Sequence, residues 1–390
     1  MDIIFSKRSQ SIGEGIFSLL NTKKEELLKA GRTVYNFSVG TPDFHPPLHI
    51  MEAMQEACKD PENYKYALRD KPELLKAVRD FYRNRFGVEL KTSQIMSMYG
   101  SQEGMAHIAL ALCDPGDMIL VPNPGYPVFG IGPELMGVKS VSYPLYKKNN
   151  FLPDFEDIPE KDAEAAKYMI ISYPANPVCS AADDSFYEKA VAFAQKHHLV
   201  LLHDNAYADL VYGGRKGKSF LSYPGAMEVG VEFYSLSKSY NVTGMRISFA
   251  VGNEEVIRNF QKVRSQIDYG IFLPVQYAAI AALKGPQESV AEQCRLYEER
   301  CRALCRGLSR IGWEVPDGQG TMFVWAPIPK NYTSSERFAM DLMDKAGVIA
   351  VPGTAFGDLG EGYVRLALVY PVETIEKAIQ AIEESGILRV

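Results

Sequence analysis

From about residue 95 the chain alternates short apolar runs with segments of helical spacing, and this pattern narrows its fold more than any other feature. The runs Met118–Pro122 (MILVP), Tyr168–Tyr173 (YMIISY), Leu199–His203 (LVLLH), Phe233–Leu236 and Ile247–Gly252 read as strands. Gln102–Leu112 and Ser185–His197 read as helices. Strands alternating with helices predict an α/β domain with a mostly parallel sheet, in which ligands bind at the carboxyl ends of strands. Asn176, Asp204, Tyr207 and Lys238 all lie just past such ends.

The flanks read differently. Phe17–Ala30 is a helix closed by Gly31, and Pro72–Phe86 is an amphipathic helix closed by Gly87. After Gly252 long helical segments lead to the strands Thr321–Trp325 and Val364–Leu368, the helix Glu336–Lys345 and a last helix, Val372–Ser385. This half reads as α+β. The expected division is a large domain over 46–275 and a small one made of 1–45 with 276–390, since 390 residues exceed one typical core.

Composition removes several functions. A net charge of −6 argues against non-specific nucleic-acid binding. No apolar run approaches the roughly 18 residues of a membrane span, and the N-terminal stretch shows no secretory h-region. The six cysteines (58, 113, 179, 294, 301 and 305) are expected as buried, reduced thiols of a cytoplasmic chain. Cys301 and Cys305 share a helix face, but a metal site would need two more ligands nearby and no CxxC pattern supplies them, so none is expected.

Val231–Gly252 (VEFYSLSKSYNVTGMRISFAVG) carries the chemistry. Lys238 stands where a strand runs out, with Ser235 and Ser237 before it and Arg246 after it. An amine among small hydroxyls and an arginine suits a lysine bonded to a phosphorylated cofactor; a solvated lysine in a surface turn is the alternative. Tyr99–Gly104 (YGSQEG) precedes a helix whose first N–H groups, with the Ser101 hydroxyl, can hold a phosphate. Ser101 can equally be an N-cap. There is no GxxxxGK[ST] loop, and Gly130-Ile131-Gly132-Pro133 opens no dinucleotide fingerprint, which disfavours a nucleoside phosphate. Asp204 in HDNAYADL needs a cationic partner if buried, and a protonated ring nitrogen would suit. Tyr207 can donate to an oxygen of the same ring, and Tyr126 in NPGYPVF can stack on it.

The segments SLSKSYNVTGMR, HDNAY, NPGYPVF, GSQEG, the Asn-Pro of SYPANP and EGYVRLAL resemble the class I/II aminotransferases, in order and spacing, from about residue 35 to the C-terminus. SIGEGIFSLLNTKKEELLKAG, DPENYKY, RFGVEL, LPDFEDIP and DYGIFLPVQYAAIAALKGPQ resemble the LL-diaminopimelate aminotransferase-like branch. The resemblance implies the fold type I of pyridoxal-phosphate enzymes: a large domain with a mostly parallel seven-stranded sheet covered by helices, plus a smaller α+β domain. It implies pyridoxal 5′-phosphate and a ping-pong exchange of an amino group between an L-amino acid, of the LL-diaminopimelate or aspartate kind, and a 2-oxoacid. Lys238 would form the Schiff base and move the substrate proton. Asp204 would hold the pyridine nitrogen protonated. Tyr207 and Asn176 would bond the ring oxygen. Ser101, Gln102, Ser235, Ser237 and Arg246 would bind the phosphate. Arg365 would clasp the substrate carboxylate in a bidentate way, with Gly40 and Asn176 beside it. The family's dimer would bring Tyr66, or its rival Tyr64, to the neighbouring subunit's phosphate.

Two segments depart from the family. Arg69-Asp70-Lys71 precedes Pro72 where a glycine is usual, and Val178-Cys179-Ser180 follows Asn176-Pro177 where Thr-Gly is usual. The second turn must differ in shape, because cysteine does not replace glycine freely. Arg69 and Arg264 are candidates for a second substrate carboxylate. A carbon–sulfur β-lyase on nearly the same residues is the rival activity, and a non-enzymatic cofactor-binding regulator the rival of another class.

Overall fold

The apolar runs become the middle of one sheet. The computed structural model describes residues 3–10, 12 and 16–389; residues 1–2, 11 and 13–15, within the stretch read for a secretory signal, lie outside the described residues. Seven strands stand in the order Ile95–Met98, Ser248–Gly252, Gly230–Ser235, Val200–Asp204, Ala166–Ile171, Met118–Asn123 and Lys139–Pro144. Ser248–Gly252 runs antiparallel to both neighbours, and every other pair is parallel.

Successive residues divide between two core layers, as the period of a strand requires. Ile119, Val121, Tyr168, Ile170, Leu202, Val231 and Phe233 pack with Met105, Ile108, Ile257 and Phe260 on one face. Leu120, Met169, Ile171, Leu201, Tyr234 and Val251 belong to the core on the other. Burial on both faces is why these strands read as continuous apolar runs.

The sequence reading missed the two edge strands. Ile95–Met98 is only four residues long, and Lys139–Pro144 is largely part-exposed and ends in proline. Edge strands are kept short or polar because their open hydrogen bonds invite pairing. The glycines of Gly130-Ile131-Gly132-Pro133 lie inside a helix, Val128–Leu135, where Gly132 packs on Ala106. They form no phosphate loop.

After Gly252 come three helices, Glu254–Arg264, Leu273–Lys284 and Glu288–Arg310. The last packs on the C-terminal helix Val372–Glu384 and reaches back to the large sheet, where Gln293 donates to the Lys238 carbonyl at 2.7 Å. A second, antiparallel sheet holds Val351–Pro352, Tyr363–Ala367 and Phe323–Pro327, with Tyr363–Ala367 central. Tyr35–Asn36 pairs with Val348–Ile349 and draws the chain toward Gly40 across the mouth of the large sheet. No described helix is long and apolar enough to cross a membrane.

Candidate active site

A cavity of about 570 Å³ opens along the carboxyl edge of the large sheet. Gly40, Ser101, Gln102, Tyr126, Asn176, Asp204, Tyr207, Ser235, Ser237, Lys238, Arg246 and Arg365 all line it.

Lys238 comes from a short helix, Leu236–Ser239, that starts as the Gly230–Ser235 strand ends; the Ser235 hydroxyl accepts from Ser237 N at 3.2 Å. Behind the lysine, Asp209 accepts from Ser239 Oγ and Tyr234 OH, both at 2.7 Å, and pairs with Arg85 at 3.1 Å. Lys238 Nζ donates to the Gly40 carbonyl at 2.5 Å. Burial, with the positive charges of Arg365 and Arg246, lowers its amine to about 8. Such an amine is neutral far more often than an exposed lysine, which a nucleophile and proton carrier needs.

Arg246 adopts a left-handed conformation, φ 52°, and donates to the carbonyls of Thr243 at 3.0 Å and Tyr99 at 3.1 Å. It lies over Gly100, whose φ is +93° and where a Cβ would sit 2.2 Å from Nη2. Only glycine lets the arginine close on the start of helix Ser101–His107. Ser101 Oγ there is buried without a hydrogen-bond partner.

Asp204 ends its strand buried, and burial pushes its carboxyl up to about 6 against the pull of His203 and the Ala206 N–H. Its Oδ1 has no partner. A buried carboxylate oxygen in that state calls for a cationic donor. Tyr126, whose OH donates to Gln102 Oε1 at 3.1 Å, and the buried Tyr207 stand nearby on the wall.

Arg365 is held from the opposite side. It is 4% exposed on the central strand of the smaller sheet, between the rings of Phe323 at 4.1 Å and Phe356 at 4.7 Å. It donates to Asn176 Oδ1 at 2.9 Å and to the Ser38 carbonyl at 3.2 Å, and its Nε has no partner. Burial lowers it to about 10. No carboxylate pairs with it among the described residues. A buried guanidinium with neutral partners only is a ready receiver for a carboxylate.

Other candidates fall elsewhere. Tyr66 is 78% exposed with its ring against Tyr269, and Tyr64 donates to the Cys58 carbonyl; neither lines the cavity of its own chain. Arg264 is buried and engaged by Asp268 at 3.0 Å, so it is not free for a second substrate carboxylate, and Arg69 is exposed away from the cavity. Of the departures from the family, Asp70 accepts from Ser97 N at 2.8 Å, tying the Arg69–Lys71 turn to the edge strand. Cys179 takes the left-handed conformation at φ 58°, buried, and Ala175 N closes the turn by donating to the Ser180 carbonyl at 2.9 Å. All six cysteines are free, but Cys58, Cys113 and Cys294 are only half-buried, less than expected.

The structure adds lining residues the sequence reading passed over: Asn21 and Lys24 on helix Ile16–Lys29, and Asn36, Ser38, Ser172, Thr243 and Phe323. Ser38 and Asn36 adjoin Gly40 and were open to inference from it. Asn21 and Lys24 sit on a polar helix face that reads like any solvated face.

The family profile "Aminotransferase class I and II" matches residues 32–382. The chain belongs to this family. It is 43% identical to an LL-diaminopimelate aminotransferase of Dehalococcoides mccartyi, over 96% of this chain and 97% of that one. It is 41% identical to one of Moorella thermoacetica, over 96% of each. Among solved structures, substrate-bound BacF of Bacillus subtilis superposes with a TM-score of 0.94 at 36% identity, covering 98% of both chains. A probable N-succinyldiaminopimelate aminotransferase of Thermus thermophilus gives 0.90 at 34%, covering 95% of this chain and all of that one.

The protein is a pyridoxal-phosphate-dependent aminotransferase of fold type I. The eliminating and regulatory readings are not favoured. The cavity fits pyridoxal 5′-phosphate by what its wall lacks: a buried carboxylate oxygen at Asp204 and a buried hydroxyl at Ser101, both without partners.

Proposed function

We propose that Lys238 holds the cofactor covalently, that Asp204 pairs with its ring nitrogen, and that Tyr207 and Asn176 bond its ring oxygen while Tyr126 stacks on the ring. Ser101, Gln102, Ser235, Ser237 and Arg246 form the phosphate cradle. Bound there, the cofactor supplies a pyridinium ring that accepts the electron pair left when the substrate Cα–H bond breaks. The Lys238 amine would carry the proton released at the substrate Cα. The Asp204 carboxylate keeps the ring nitrogen positive. Arg365, with Asn176 and the Gly40 backbone beside it, orients the substrate carboxylate so that its Cα–H faces Lys238. The observation that carries this reading is the convergence on one cavity of a depressed lysine, an aspartate with one buried oxygen unpartnered and a buried arginine with neutral partners only.

We infer that the donor is an amino acid with a polar far end, LL-diaminopimelate first among them, and that a 2-oxoacid accepts the amino group. The relatives' names support this, as does the polar far wall of Asn21, Lys24 and Asn36. The chain acts as a homodimer with shared sites: Tyr64, Tyr66, Leu68 and Tyr269 form an exposed apolar patch that a second copy would cover, bringing Tyr66 to the neighbouring phosphate. Six free thiols suit the cytoplasm. Residues 46–275 form the cofactor domain, and 1–45 with 276–390 the domain that carries Arg365. A donor panel with 2-oxoglutarate tests the substrate. Glutamate formed fastest from LL-diaminopimelate is expected; turnover confined to donors with apolar side chains would overturn the donor assignment.

A further inference from the structure

Away from the cavity, the helix Glu288–Arg310 presents Cys301 and Cys305 one turn apart, and the following turn brings Asp317 to them. Both sulfurs and a carboxylate oxygen of Asp317 lie within 4.8 Å of one another. Cys301 Sγ accepts from Gly318 N at 3.4 Å, and Cys305 Sγ donates to the Pro316 carbonyl at 3.4 Å, so both thiols face the turn that carries the acid. A cleft of about 190 Å³ leads from the surface to Cys301, with Asp317, Glu298, Arg215 and Arg302 on its wall.

We propose that Cys301, Cys305 and Asp317 bind a thiophilic divalent cation of the zinc class. Ligands at i and i+4 on a helix converge on one metal ion. Zinc–sulfur bonds of about 2.3 Å in a tetrahedron set the two sulfurs about 3.8 Å apart, within the spread seen here. On binding, the two S–H bonds break, both protons pass to solvent, and two metal–thiolate bonds form; the Asp317 carboxylate and a water complete four ligands. Three negative ligands on a divalent ion leave one net negative charge, which Arg215 and Arg302 on the cleft wall offset.

The site lies behind the altered loop. Gln319 N donates to the Cys179 carbonyl at 2.9 Å, and its side-chain oxygen accepts from Ala181 N at 3.0 Å. A metal on Asp317 therefore braces the turn that supports the Asn176–Arg365 contact.

The test is a cadmium titration of the holoenzyme, kept reduced with a phosphine. One equivalent per chain should raise the ultraviolet sulfur-to-cadmium band, zinc should displace it, and zinc should raise the unfolding temperature. Cys301→Ser and Cys305→Ser should each cut the band by at least half and remove the thermal shift. Asp317 is exposed, so Asp317→Ala is free of folding complications; it should keep the band at weaker affinity. No stoichiometric band in the wild type, a band unchanged in both serine variants, or unchanged affinity in Asp317→Ala would each overturn the site.

Discussion

At the sheet end of the cavity, Asp204 ends a strand paired with Gly230–Ser235, and Lys238 and Arg246 stand in tight turns fixed by contacts from distant segments: Gln293 on the Lys238 carbonyl, Tyr99 on Arg246, Asp209 behind Ser239. At the far end, Asn21 and Lys24 project from one turn of helix Ile16–Lys29 and bond chiefly to their own helix: Lys24 Nζ to Asn21 Oδ1 at 2.7 Å, and Asn21 to Glu25 at 3.4 Å. A reaction that moves a proton between defined atoms needs positions held to a fraction of an ångström. Substrate choice tolerates a helix face that can change without disturbing the sheet. Substitutions at the two ends should therefore differ in kind as well as in size.

The largest effect is expected at Arg365. In the proposed role, Arg365 makes two charge-assisted bonds to the substrate carboxylate, worth about 3–6 kcal/mol together, so Arg365→Ala should lower kcat/KM roughly 10²–10⁴-fold for every donor alike. Steady-state kinetics with long and short donors checks this. A loss confined to one donor would move Arg365 to the far end of the comparison.

Asp204 comes next. Its folded pKa of about 6 stands above the unfolded value, so between about pH 4 and 6 the folded apoenzyme binds more protons than the unfolded chain. Stability contributed by this group is therefore lost as pH rises through that window, by about 3 kcal/mol at neutral pH. Asp204→Asn should make the apoenzyme more stable than wild type at pH 8, with the gap closing toward pH 4, while the loaded enzyme loses turnover. Denaturation of both apoenzymes across pH reads the difference; an apoenzyme less stable at pH 8 would show that Asp204 is paired within the protein.

Smaller again, Lys24→Ala should lower kcat/KM about tenfold for donors with a second carboxylate and leave short donors such as alanine unchanged. An equal loss for all donors would place Lys24 with the reaction machinery. The smallest effect is expected at Cys179. Cys179→Gly relieves about 1–2 kcal/mol of left-handed strain but gives up a buried side chain and adds unfolded-state entropy. Chemical denaturation should find it within about 1 kcal/mol of wild type; a loss of several would mean that the packing of the thiol decides the turn.

The same contrast explains what the sequence disclosed. Strands buried on both faces announce themselves as apolar runs, and the polar residues just past them had few other reasons to be there. Hence Asp204, Lys238 and Asn176 were legible, as was Arg246 through the motif that holds it. The edge strands Ile95–Met98 and Lys139–Pro144 were not, because protection against pairing removes the apolar signal. Arg264 looked as available as Arg365, since the difference between them is a partner four residues on, Asp268, that sequence cannot pair with certainty. Lys24 and Asn21 reach the cavity through long-range ties on their helix and the segment after it: Lys23 bonds Asp344 at 2.9 Å, and Tyr35–Asn36 pairs with Val348–Ile349. That is a tertiary fact with no local trace.

Two lysines line the cavity, Lys238 at the sheet end and Lys24 at the far end. Borohydride reduction of the holoenzyme fixes the cofactor to whichever lysine holds it, and peptide mass spectrometry then reads the position. The phosphopyridoxyl mass should fall on the peptide containing Lys238 and be absent after Lys238→Ala. Label on Lys24, or on any lysine outside the cavity, would contradict the assignment on which every role at the sheet end depends.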